Sequence, residues 1–334
     1  MLLALPEPDA PGRGAAKARA LMAQRLRHSW AVAPVGGMLL GLLLIACGDN
    51  GAPTAPTPPT AATVPPQTPA PPPEPDAVLV GAGDIAMCGA PEVAATAALL
   101  DTISGTVFTA GDNAYPNGSL RDYMACYEPT WGRHKHRTRP APGNHEYNTP
   151  NGAAYYEYFG AAAGPPGRGY YSFREGAWLI VSLNSNVPAG PGSPQAEWLK
   201  MTLAQNPTRC AAAIWHHPLF TSGPNGGSPS MRELWRILHE SGAEIVLAGH
   251  DHMYERFAPQ DAEGRPDPAA GVRGFTVGTG GAHIYDARTR RPNSEAIGRS
   301  AGVLKLTLKA TSYEWQFIPI AGGRFSDFGA SECH

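Results

Sequence analysis

Five short polar blocks constrain this chain more than any other feature. Gly83-Asp84 closes the apolar run 77–83, and Gly111-Asp112-Asn113-Ala114-Tyr115 closes the run 107–111. Gly143-Asn144-His145-Glu146 follows Arg139-Pro140-Ala141-Pro142, Trp215-His216-His217-Pro218 ends the run 211–215, and Gly249-His250-Asp251-His252 ends the run 245–249. Short apolar runs bounded by glycine read as buried strands that turn sharply into loops. In open α/β sheets, ligands gather outside the carboxyl ends of the strands, so such a fold brings these loops to one place. Carboxylates, an amide oxygen and imidazoles are donors for divalent or trivalent first-row metals. Glycine beside a donor lets the backbone approach where a Cβ would clash.

The rest of the chain supports that layout. The segment 178–183 is a further buried strand, and 303–308 and 313–318 alternate with period two, as a closing antiparallel pair does. Helical patterns lie at 91–100, 119–129, 195–205 and 231–240, with Pro91 and Pro194 near helix starts. Alternating strand and helix predicts an α/β architecture with a layered sheet core. The 334 residues suffice for one large core or two ordinary ones. A net charge of -2 implies no nucleic-acid partner and no strongly acidic scaffold.

The N-terminal part reads as address and tether. Lys17, Arg19, Arg25 and Arg27 precede an apolar run from Trp30 to Ala46 that is short of the roughly 20 residues a stable span needs. The run ends in Leu44-Ile45-Ala46-Cys47, which resembles a bacterial lipobox. We therefore expect an export signal of lipoprotein type at 1–46, with Cys47 lipidated and anchoring the protein to a membrane. Met22 is an alternative start. Residues 47–76 are dense in proline, alanine and threonine; they have too little apolar bulk for a core and suit an extended spacer. The folded domain is expected at 77–334. With Cys47 assigned to the lipid, four cysteines remain, and four allow three connectivities. Cys88 with Cys126 is favoured, because both follow loops of the first half. Cys210 with Cys333 would then pin the C-terminal segment to a central strand.

In order and spacing, the five blocks resemble the calcineurin-like metallophosphoesterases, and among them the purple acid phosphatases, over nearly all of 77–320. The resemblance implies a four-layer α/β/β/α sandwich and hydrolysis of a small phosphorylated substrate by two metal ions. It implies that Asp84, Tyr115 and His252 hold the first metal and that Asp112 bridges both. Asn144, His216 and His250 hold the second, and His145 contacts the phosphate and protonates the leaving oxygen. Tyr254-Glu255-Arg256 also matches the pattern. Many relatives carry Asp-x-His in the first block; here that place is Ala86, and Tyr115 is expected to fill the gap. A phenolate favours Fe(III), with Zn, Mn or Fe(II) at the second position. The chain departs from purple acid phosphatases in reading Asp84-Ile85-Ala86 for Asp-x-Gly. It also departs from the plant-type members in lacking histidine in the loop 221–230 and in running straight from the proline tether into the catalytic domain, with no β-sandwich domain.

Other polar residues receive plainer readings. Glu146 orients a neighbour, Asp251 points away from the metals, and His217 stands beside the site or faces the substrate. His134 and His136 belong to a solvated basic loop or to a phosphate patch. His239 is structural, and His283 supports the site from behind. The expected reaction is cleavage of phosphate monoesters outside the cytoplasm. The alternatives are a phosphodiesterase or nucleotidase on the same metals, or an inert binding protein. No Gly-x-Ser-x-Gly elbow points to a serine hydrolase.

Overall fold

A computed structural model describes residues 76–334. The expected export signal and all but the last residue of the tether lie outside the described residues. Within them, no helix is long and apolar enough to cross a membrane.

Among the described residues, thirteen strands form two sheets. They are β1 Ala77–Ala82, β2 Thr106–Ala110, β3 Thr138–Ala141, β4 Tyr171–Glu175, β5 Trp178–Ser182, β6 Ala211–Ile214 and β7 Ile245–Ala248. β8 Tyr254–Phe257, β9 Arg273–Val277, β10 Ser294–Gly298, β11 Gly302–Leu308, β12 Ser312–Pro319 and β13 Asp327–Glu332 follow. The first sheet runs β13-β12-β11-β1-β2-β3 and the second β10-β8-β9-β7-β6-β5-β4. β1, β2 and β3 are parallel, as are β5, β6, β7 and β9.

The apolar runs are continuous because both faces of these strands are covered. In the second sheet, Ile180, Ala212, Ile214, Ile245 and Leu247 share a core with the first sheet. Their alternates Leu179, Val181, Ala213, Val246 and Ala248 pack with Leu199 of α4 (Pro194–Gln205) and Leu234 and Leu238 of α5 (Arg232–Glu240). On the other side, α1 (Pro91–Thr102) packs against β11. These layers are the expected α/β/β/α order.

The strand and helix expectations hold to within a few residues, with two corrections. The helix expected over 119–129 is a single capped turn, Leu120–Asp122, followed by a wide π turn, Tyr123–Tyr127. Glu128 N–H reaches back to Tyr123 O (2.8 Å), and Tyr123 is held by stacking on Tyr158 and by donating its hydroxyl to Glu146. Those partners lie elsewhere in the chain, so local periodicity does not report them. The basic run is a short 3-10 helix, Trp131–Arg137, rather than a loop, and His134 is buried in it while His136 is exposed as expected. There Arg133 and His134 pair with Asp101 at the end of α1, and Arg137 caps α1 by donating to Leu100 O (2.7 Å).

β3 has no clear strand signal in the sequence because it contains Pro140, which a sheet tolerates at an edge, and β3 is the edge. The closing pair β11–β12 is extended by β13, whose Asp327 accepts from Tyr254, Arg256 and Trp315. Both favoured disulfides form: Cys88–Cys126, and Cys210–Cys333, which joins the C-terminal segment to the start of β6.

Candidate metal centre

β1, β2, β3, β6 and β7 deliver the five blocks to one end of the two sheets. Three of the expected ligands leave their strands in left-handed backbone conformation: Asp84 (φ 59°), Asp112 (φ 50°) and His250 (φ 71°). Aspartate and histidine tolerate this region better than most residues, yet it costs of order 1–3 kcal/mol each and clusters at functional sites. The neighbouring glycines make room. A Cβ on Gly143 would lie 2.1 Å from Asp112 Oδ1, and one on Gly111 would lie 2.5 Å from His216 Nδ1.

The backbone then aims the donors. Asp84 Oδ2 accepts from His250 N–H (2.7 Å) and Asp112 Oδ1 from His145 N–H (2.9 Å). The other oxygen of each carboxylate faces inward. Asp84 Oδ1, Asp112 Oδ2 and His252 Nε2 lie 3.0, 3.2 and 3.1 Å from the Tyr115 hydroxyl, and His252 Nε2 lies 3.3 Å from Asp84 Oδ1. On the other side, His216 Nε2 lies 3.0 Å from Asn144 Oδ1, 3.2 Å from His250 Nδ1 and 3.2 Å from the same Asp112 Oδ2. Separations near 3 Å are the edges of a coordination shell with bonds of roughly 2.0–2.2 Å. Asp112 Oδ2 is common to both sets.

The ring tautomers agree. His216 Nδ1 and His252 Nδ1 face the carbonyls of Ala110 and His283 at 2.8 Å, leaving each Nε2 for the centre. His283 therefore serves through its main chain; its side chain is exposed. Asp84 and Asp112 are 0% and 2% exposed, and their ion-pair partners among the described residues are histidines. Buried carboxylates are paired or bind metal. Against burial, the Asp112 charge raises His216 to about 9, which marks a place that attracts positive charge. Burial, then the charges of Asp84 and Asp112, raise the Tyr115 phenol. The donors present fit two metal ions.

Glu146 is an organiser, as expected. Fully buried, it accepts backbone N–H groups from Asp112 (3.0 Å), Asn113 (2.8 Å), Ala114 (3.3 Å) and Gly143 (2.7 Å). Burial and the Asp112 charge push its carboxyl up to about 7. Asp251 points away and holds the loop beyond β6, accepting from Thr221 (2.7 Å) and Asn225 N–H (3.0 Å). His239 pairs with Asp267. His217 is braced by Ser185 (2.7 Å) with its ring 4.4 Å from that of His250; burial and its histidine neighbours lower it to about 3. It groups with His216 and His250 as a possible metal donor, beyond the set expected from the sequence.

The donors open into a cleft of 590 Å³. His145 lines it, 30% exposed, with its ring 4.3 Å from that of Tyr115. Its Nδ1 meets Pro116 O at 2.5 Å, and its Nε2 lies 3.7 Å from Asp112 Oδ2. Two further lining residues, Asn225 and Tyr285, were not anticipated. Tyr285 stacks on His252 with centroids 4.1 Å apart. It sits in a coil between Ile284 and Asp286, where no periodic pattern marks it.

The fold and these donors define a two-metal phosphoesterase scaffold. The model of the calcineurin-like phosphoesterases matches residues 45–254, and the chain belongs to that dinuclear-metal family. It is 29% identical over 185 residues to purple acid phosphatase 18 of Arabidopsis thaliana, a match covering 52% of this chain and 39% of that protein. It is 32% identical over 147 residues to an uncharacterised protein of Mycobacterium tuberculosis, over 36% of this chain and 28% of the other. The chain thus spans well under half the length of these relatives. A purple acid phosphatase from yellow lupin seeds shares the fold with TM-score 0.64 at 18% identity, over 77% of this chain and 54% of that one.

Proposed function

We propose that this protein hydrolyses phosphate monoesters outside the cytoplasm. Fe(III) would sit at the Asp84–Tyr115–His252 side, and Zn, Mn or Fe(II) at the Asn144–His216–His250 side. The observation that carries the reading is Asp112 Oδ2, which stands 3.2 Å from both the Tyr115 hydroxyl and His216 Nε2. When bound, a metal pair supplies Lewis-acid polarisation of the phosphoryl oxygens and a nucleophile for in-line attack. The chain's residues do the rest. Asp112 and Asp84 set the spacing of the two positions. His145, oriented by Pro116 O, presents Nε2 to the cleft and delivers a proton from that atom to the leaving oxygen.

The test compares p-nitrophenyl phosphate with bis-p-nitrophenyl phosphate on metal-loaded protein. Faster monoester cleavage supports the proposal; a preference for the diester moves the function to phosphodiesterase. His145→Ala should retain both metals and lose about 10²–10⁴ in turnover, most for substrates with poor leaving groups. Loss of metal in that variant would show that His145 holds the centre rather than the proton. Tyr115→Phe should remove the visible phenolate-to-iron absorption band of the iron-loaded protein; a band unchanged in the variant would rule out Tyr115 as the iron ligand.

Two disulfides and the lipobox-like Cys47 support an oxidising, membrane-tethered location. Cys47→Ser should shift the protein from the detergent to the aqueous phase on Triton X-114 partitioning. A variant that stays in the detergent phase would indicate an uncleaved apolar anchor instead.

A further inference from the structure

A second cleft, of 350 Å³, adjoins the metal centre and carries a different chemistry. Its lining includes Arg288, Arg290 and Arg291, all exposed. The neighbouring acid, Asp286, is taken by Arg299 (2.7 Å), and none of the three arginines forms an ion pair among the described residues. The opposite wall is the loop 221–226, whose two hydroxyls and whose N–H groups at Ser222, Gly223 and Asn225 have partners within the protein. Ser222 donates its hydroxyl (2.5 Å) and its N–H (2.7 Å) to Glu255, and Thr221 and Asn225 are tied to Asp251. The buried acids beneath the floor are therefore satisfied by the loop and hold it rigid.

The two segments that wall this cleft also reach the metal cleft, through Asn225 on one and Tyr285 on the other. Pro224 and Gly226 line the basic side and Asn225 the metal side, where Asn225 Nδ2 donates to His250 O (2.8 Å). Arg288 follows Tyr285 by three residues; Tyr285 stacks on His252 and donates its N–H to His252 O (2.7 Å). Arg288 N–H in turn donates to Ser222 O (2.9 Å), and Arg291 Nε to Thr221 O (3.2 Å). Hydrogen bonds thus tie the two segments of the arginine-lined recess to the loop that carries His250 and His252. Arginine is the side chain suited to recognising phosphate.

We propose that this recess binds a second phosphate group of the substrate, making the enzyme selective for compounds that carry two or more phosphates. The inference rests on the phosphoesterase reading above. The test compares fructose 6-phosphate, fructose 1,6-bisphosphate and p-nitrophenyl phosphate on the metal-loaded full chain and on Arg288→Gln/Arg290→Gln. Arg291 is left in place because it braces the loop. The wild type should favour the bisphosphate. The variant should raise its KM about tenfold, with kcat and p-nitrophenyl phosphate hydrolysis within about twofold of wild type. Arg288→Lys/Arg290→Lys should keep part of the preference. An unchanged bisphosphate KM overturns the proposal, as does an equal loss on all three substrates. A variant altered only in sedimentation with phosphatidylglycerol vesicles assigns the arginines to a lipid surface and also overturns it. Calorimetric titration with fructose 1,6-bisphosphate separates the two readings. If no phosphate ester is cleaved, the phosphoesterase reading fails, while weaker binding by the variant still upholds the recess and equal binding rejects it.

Discussion

Asp112→Ala should lower metal content at both positions together and reduce turnover by more than about 10³-fold. The reason is geometric. One carboxylate oxygen serves two donor sets, and its sibling is held by His145 N–H, so no other side chain can swing into its place. Asn144→Ala removes a donor from one set only and should weaken the second metal while sparing the first. Metal analysis by mass spectrometry, beside hydrolysis rates, distinguishes the two variants. Full occupancy of either position in Asp112→Ala would show that the oxygen is not shared.

Glu146→Ala should destabilise the fold by about 3–5 kcal/mol, a drop of roughly 6–20 °C in melting temperature for a domain of this size. Four backbone N–H groups from two loops end on this carboxylate, and deleting it leaves them buried without an acceptor. Glu146→Gln keeps the shape and one oxygen and should lose less. The same variants should bind metal more weakly, because the N–H groups of Asp112 and Gly143 position the Asp112 and Asn144 loops. Calorimetric melting of the metal-free and metal-loaded protein measures both effects. A Glu146→Ala protein melting within 2 °C of wild type would remove Glu146 from that role.

How much of this was legible beforehand follows from which signals are local. A strand buried on both faces must be apolar throughout, so 77–83, 178–183, 211–215 and 245–249 announced themselves. Where a strand runs into the crowded centre, the residue before the ligand has no room for a Cβ, so the glycines before Asp84, Asp112, Asn144 and His250 mark them in the sequence. The donor set was readable for the same reason. Strands with weaker signals were not: β3 hides behind its edge proline, and β13, Asp-Phe-Gly-Ala-Ser-Glu, has little of the β-branched or aromatic character that strands favour.

Long-range pairing settled what local pattern does not encode. That one oxygen of Asp112 serves both donor sets depends on how β2, β3 and β6 stack. The turn at Tyr123 widens to meet Glu146, which lies beyond β3. His134 is buried because it packs against α1, its Nε2 facing Ala97 O and Asp101. Tyr285, Asn225 and the arginine recess come together because Asp251, His252 and, in β8, Glu255 hold two other loops. In each case the energy lies in hydrogen bonds or stacking between residues far apart in the chain, and no periodicity of the sequence records such a pair. The chemistry of the centre was written in short motifs; its geometry, and the recess beside it, belong to the folded chain.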